Sequence, residues 1–121
     1  MQTKVLAFLG LIFSAAPGIA ATPSIPKNFQ ARWSSALKWC NVDDDGSLTI
    51  YANRIAFFDS HAKVLNVRVL SPLEVELDLK ISGEGETWRA TQRFTLSSDQ
   101  KALIGPTDKN FVNGITRFRC P

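Results

Sequence analysis

The sequence predicts an all-β chain: a small antiparallel up-and-down β-barrel of about eight strands with one disulfide, a two-sheet β-sandwich being the alternative. Three observations point there. Leu73, Val75, Leu77, Leu79 and Ile81 alternate with Glu74, Glu76, Asp78 and Lys80, the period of a strand with one buried and one wet face, as in antiparallel sheets. Short clusters of turn formers separate this stretch from others like it, so hairpins rather than crossovers join the strands. The only two cysteines are Cys40 and Cys120, and pairing them brings the ends of the strand series together, which favours closure of the sheet and hides its edges.

In chain order, the first segment reads as a signal peptide over residues 1–21. Lys4 precedes an apolar run from Val5 to Phe13, and Ser14, Ala15, Ala16, Ala20 and Ala21 supply small residues for cleavage after Ala20 or Ala21. The run is too short for a hydrocarbon core of ~30 Å, and Pro17 and Gly18 break it, which weighs against an uncleaved membrane anchor. No lipoprotein-type cysteine follows. Residues 22–28, with Pro23 and Pro26, read as an extended leader outside the sheet, and residues 29–121 as one barrel domain. No second long apolar run follows, so no transmembrane segment remains after cleavage, and the setting is periplasmic or secreted.

Strands are expected near Phe29–Trp33, Ser47–Tyr51, Arg54–Phe58, Ala62–Leu70, Leu73–Ile81, Glu86–Leu96, Lys101–Ile104 and Ile115–Cys120. In the fourth, Leu65, Val67 and Val69 share a face. In the sixth, Trp88, Ala90, Phe94 and Leu96 do. Asn113-Gly114 is the strongest two-residue hairpin signal, because both positions tolerate positive φ. Trp33, Trp39, Trp88, Phe57, Phe58, Phe94 and Phe118 supply the bulky apolar volume expected to fill the interior. In an oxidising compartment Cys40 pairs with Cys120, and the long loop so closed gives about 4 to 5 kcal/mol as an upper figure.

The formal charge of +3 falls to +2 when Lys4 leaves, and the cations are scattered along the chain, so no nucleic-acid partner is implied. Chemistry-bearing patterns fail one by one. Asn41, Asp43, Asp45 and Gly46 match the opening of a calcium loop, but Ala52 stands where a bidentate Glu belongs, so no metal is expected. His61, the only histidine, sits near Asp59 and Ser60, yet a catalytic triad needs groups brought from separate elements. Glu84 and Glu86 flank Gly85 on a turn with no fixed carboxylate separation. No catalytic residue and no cofactor is expected.

Phe29-Gln30-Ala31-Arg32-Trp33 and Thr116-Arg117-Phe118-Arg119-Cys120 resemble the lipocalin and wider calycin barrels, in which a Trp of the first strand is covered by a basic side chain from the last. The resemblance implies Arg117 or Arg119 over Trp33, with a cation–π contact as the physical reason. Ala31 stands near the family's Gly, and the chain is shorter than ordinary lipocalins. The order Phe29, Trp33, Cys40, Gly46-x-Leu48-x-Ile50, Ser82-Gly83-Glu84-Gly85 and Trp88 is similar to a set of uncharacterised exported bacterial proteins. Small periplasmic inhibitors of proteases and of lysozyme share such disulfide-stapled barrels.

The expected function is therefore a non-enzymatic exported barrel that binds a protein or envelope component through its loops, inhibitor-like. Asp43, Asp44, Asp45, Glu84, Glu86, Asp108 and Lys109 are the candidate contacts. The alternatives are a carrier of a small hydrophobic ligand in the barrel interior and a hydrolase acting through His61.

Overall fold

The structure, a computed structural model, describes residues 22–121; the signal segment expected over 1–21 lies outside them. Strands β1 (Arg32–Ser34), β2 (Ser47–Ile50), β3 (Arg54–Phe57), β4 (His61–Ser71), β5 (Glu74–Gly83), β6 (Glu86–Leu96), β7 (Ala102–Thr107) and β8 (Thr116–Arg119) follow one another. Each pairs antiparallel with the next and β8 returns to β1, so the sheet closes in chain order as an up-and-down barrel. Among the described residues no helix is long and apolar enough to cross a membrane.

The alternation read in the fifth strand sets the wall. Val75, Leu77, Leu79 and Ile81 are all at most 4 % exposed, while Glu74, Glu76, Asp78 and Lys80 face outward. In β4 the period changes partway. The register shifts between Val64 and Asn66, so Leu65 is an extra residue, and the inner face passes from Ala62 and Val64 to Val67 and Val69. Leu65 therefore does not share a face with Val67 and Val69 as expected.

The segment before β1 also differs from expectation. Residues 22–28 are not a free leader: the Ile25 N–H donates to Ala52 O at 2.7 Å and Ile25 is 1 % exposed in the core. Phe29 ends a 3-10 turn, Lys27–Phe29, rather than beginning a strand. Ile25 and Phe29 thus stopper one end of the barrel above Trp33, whose Nε1–H donates to Phe29 O at 3.0 Å. Arg119 Nη2 holds the same turn through Asn28 O at 2.7 Å.

Two turns exchange roles. Glu84 and Gly85, with φ of 52° and 78°, have the two positive φ values of a type I′ turn and join the pair Gly83↔Glu86 directly. Asn113-Gly114 makes no such turn. Only Gly114 has positive φ, and it lies in the long loop between Thr107 and Thr116. A Cβ there would meet Gly105 N at 3.1 Å, so the glycine serves a close backbone crossing.

Filling of the interior is narrower than composition implies. Trp33 and Phe94 are fully buried and Phe57 packs at the core's margin, but Trp39, Phe58, Trp88 and Phe118 are exposed. Aliphatic side chains such as Leu48, Ile50, Ile55, Leu79 and Leu103 do the packing. The β1–β8 ladder is the shortest, with only Trp33↔Arg119 and Ser34↔Phe118 paired. Beside it Cys40 and Cys120, 80 residues apart, are disulfide-bonded with Cα atoms 5.7 Å apart.

Candidate functional site

Successive connections of an up-and-down barrel fall at opposite ends. Opposite the Ile25 and Phe29 stopper lie the β1–β2 loop, the Phe58–Ser60 turn, the Glu84-Gly85 turn and the loop 108–115. This end is open because β6 outruns β7. The β6–β7 ladder begins only at Arg93↔Thr107, while the other margin of β6 is paired with β5 from Gly83↔Glu86 onward. The Arg93 carbonyl points toward β7, accepting from Thr107 Oγ1 at 3.4 Å. Steps of two residues put the backbone groups of Thr91, Arg89 and Thr87 on the same, unzipped side.

Three recesses meet there. A cleft of about 1090 Å³ follows the unzipped margin between Trp88, Gln92 and the loop residues Asp108, Lys109 and Val112. A recess of about 270 Å³ enters the mouth between Phe57, Phe58, Ile81 and Arg117. A third, of about 280 Å³, lies between Ser60, Glu84 and Glu86. Trp88 lines all three. It pairs across with Ile81 on the inner face, yet stands 45 % exposed because no neighbouring strand reaches it from the β7 side.

Polar groups of the mouth are placed with two different outcomes. Arg117 is 5 % exposed and donates from Nε to Gly46 O and from Nη1 to Gly105 O, both at 2.9 Å. Burial lowers its pKa, partly offset by Asp45, and its task is to tie the β1–β2 loop to β7. By contrast, Gln92 Oε1 is buried without a hydrogen-bond partner among the described residues, while its side chain lines both the cleft along β6 and the recess in the mouth. An unmet buried acceptor beside an opening is a place for a donor from a bound molecule.

The residues singled out from sequence divide accordingly. Asp45, Glu84, Glu86, Asp108 and Lys109 all line the recesses around Trp88. Asp43 pairs with Arg32 at 3.1 Å and Asp44 Oδ1 accepts from Gly46 N at 2.9 Å, so these two shape their own loop. Asp108 Oδ1 also accepts from the N–H groups of Asn110 and Phe111, both at 2.8 Å. Of the two arginines proposed over Trp33, the Arg119 guanidinium lies 4.5 Å from the ring centroid and Arg117 is elsewhere. His61 opens β4, exposed and opposite Ala56 and Ser82, outside the turn that holds Asp59 and Ser60.

Sequence reasoning missed Trp88 and Gln92 as site residues. Trp88 follows the two-residue turn Glu84-Gly85 by only three positions, and that nearness to the strand end was the available signal. Gln92 is the one polar residue in the apolar alternation Trp88, Ala90, Phe94, Leu96, a flag for an inward polar group.

Fold and site together define a closed antiparallel barrel with a filled interior and an open, tryptophan-centred end. No family model, curated protein or solved structure matches the chain.

Proposed function

We propose that this protein is a non-enzymatic exported barrel, periplasmic or secreted, that grips a protein or envelope component at its open end in the manner of an inhibitor. Trp88 carries the reading. A half-exposed tryptophan at the junction of three recesses, ringed by polar side chains, has the make-up of an interface anchor. Around it the loops and turns carry Asp45, Asp59, Glu84 and Asp108 against Lys109, with Glu86 at the start of β6, while Arg89, Arg93 and Arg117 line the strand walls; the acidic rim favours a partner with a basic surface. The unzipped margin of β6 offers N–H and C=O groups to an extended segment of that partner. The Cys40–Cys120 bond supports an oxidising compartment. A carrier would need ~300 Å³ or more of enclosed room, whereas buried side chains fill the core and the large cleft runs along the open margin of β6.

The test is capture from envelope extract by the immobilised, disulfide-intact protein, compared with Trp88→Ser and with Trp39→Ser, a control at another exposed tryptophan. A partner held by the unsubstituted protein and the control, and lost with Trp88→Ser, is expected. Capture insensitive to Trp88→Ser, or no partner, would overturn the reading.

A further inference from the structure

The cations that are scattered in sequence are gathered by the register of the sheet. Arg54 lies opposite Lys63, Lys63 opposite Lys80, and Lys80 opposite Arg89. Directly paired residues of antiparallel strands share a face, so the four form one file across β3, β4, β5 and β6 on the outer wall. All four are exposed. With strands about 4.8 Å apart, the file spans three intervals, or about 14 Å.

Like charges placed directly opposite one another destabilise a sheet, and no carboxylate among the described residues pairs with them. The nearest carboxylate on the same face, Asp78, is two residues from Lys80 but is engaged by Arg68 at 2.8 Å and by Thr91 at 2.9 Å. Arg54 stacks at 3.8 Å on Tyr51, which fixes the file's end.

From this arrangement we infer that the outer wall binds a linear polyanion laid across the strands, and that the polymer is an acidic polysaccharide. The file is one cation wide. On one side it borders the Glu74, Glu76 and Asp78 carboxylates, each already paired with Arg68 or Arg93, and on the other His61, Ser82 and Thr87. A flat anionic bilayer would bring its charges onto those carboxylates, whereas a single chain of anions need not. Single-stranded nucleic acid binds through successive bases stacked on aromatic faces; beside the file Tyr51 is already covered by Arg54, which leaves His61 as a lone ring. A sugar chain with carboxylate or sulfate groups asks only for evenly spaced cations. The file meets the Trp88 cleft at Arg89, which lines it, but Arg54, Lys63 and Lys80 lie outside that lining, so polyanion binding does not depend on partner capture at the open end.

The probe is fluorescently labelled heparin, titrated by anisotropy against the disulfide-intact protein at several salt concentrations. The comparison pairs Lys63→Gln/Lys80→Gln with Lys27→Gln/Lys101→Gln, which removes the same charge away from the file. The file variant is expected to weaken binding about tenfold or more and to reduce the slope of log affinity against log salt by roughly 1 to 2. The off-file variant should change affinity by no more than about twofold. Unaltered thermal unfolding of the file variant, or a higher midpoint from relief of the like charges, certifies its fold. Equal losses from both variants, absence of heparin binding, or tighter binding of polyphosphate, oligo(dT) or anionic vesicles would each overturn the inference.

Discussion

Replacing Glu84 by Asn should stabilise the protein, because Glu84 occupies a backbone conformation that suits it poorly. Its φ of 52° places it in the left-handed region, which costs an ordinary L-residue ~1 to 2 kcal/mol and Asn less. The turn tip is exposed and the Glu84 side chain has no role in the core, so little packing is lost. A gain of about 0.5 to 1 kcal/mol follows, or roughly 2 to 6 °C in Tm for a domain of this size. Gly85→Ala is the mirror experiment. A Cβ on Gly85 meets nothing within 4 Å, so its φ of 78° makes the penalty purely conformational, at about 1 kcal/mol. Thermal and guanidinium unfolding followed by circular dichroism would read both. No gain in Glu84→Asn, or a neutral Gly85→Ala, would refute the claim that this two-residue turn sets the hairpin's energetics. If Glu84 is kept for contact with a partner, Glu84→Asn should also weaken capture at the open end, as expected where strain is retained at a functional position.

Two further outcomes are expected. Hydrogen bonds from Arg68, with Arg93 assisting at Glu76 and Thr91 at Asp78, hold both carboxyls below their ordinary values of 4.5 and 3.8. A carboxyl depressed in the folded state contributes stability above its unfolded pKa and loses it on protonation. The denaturant midpoint should therefore fall as pH drops below about 4.5, modestly since both carboxyls are partly exposed to screening solvent, and Arg68→Gln should flatten that dependence; an unchanged slope would contradict the assignment. Cys40→Ala/Cys120→Ala should lower stability by up to about 4 to 5 kcal/mol, given the 80-residue separation, measured by guanidinium unfolding beside the reduced and oxidised parent protein. A loss below about 1 kcal/mol would show that the β1–β8 ladder closes the barrel unaided.

The fold was legible because one strand states it clearly. The alternation from Leu73 to Ile81 needs only side-chain period, and the turn formers around it announce hairpins. The two cysteines, one after the first strand and one after the last, point to closure. What the residues alone hide is anything that depends on relative strand length. Trp88 reads as core because its parity is inward, and it is inward; it is exposed because β7 stops at Thr107. Asn113-Gly114 carries the right residues for a tight hairpin, but Gly114 is needed for the approach to Gly105, while Glu84-Gly85 takes the type I′ geometry with a less suited first residue. Leu65 breaks the expected face because a bulge leaves no compositional mark. The cationic file is invisible at positions 54, 63, 80 and 89 until pairing is known.

A cylinder with part of one wall unbuttoned invites a second copy to continue the sheet. The bare length of β6 carries an electrostatic obstacle to that pairing. Were two molecules to join antiparallel through this stretch about a two-fold axis, each would present Arg89, with Lys80 behind it, to the same groups of its twin, and the mutual repulsion would discourage that closed dimer. The guanidinium that burdens the isolated molecule would thus act as a guard, one that a negatively charged polymer lying over it would lower.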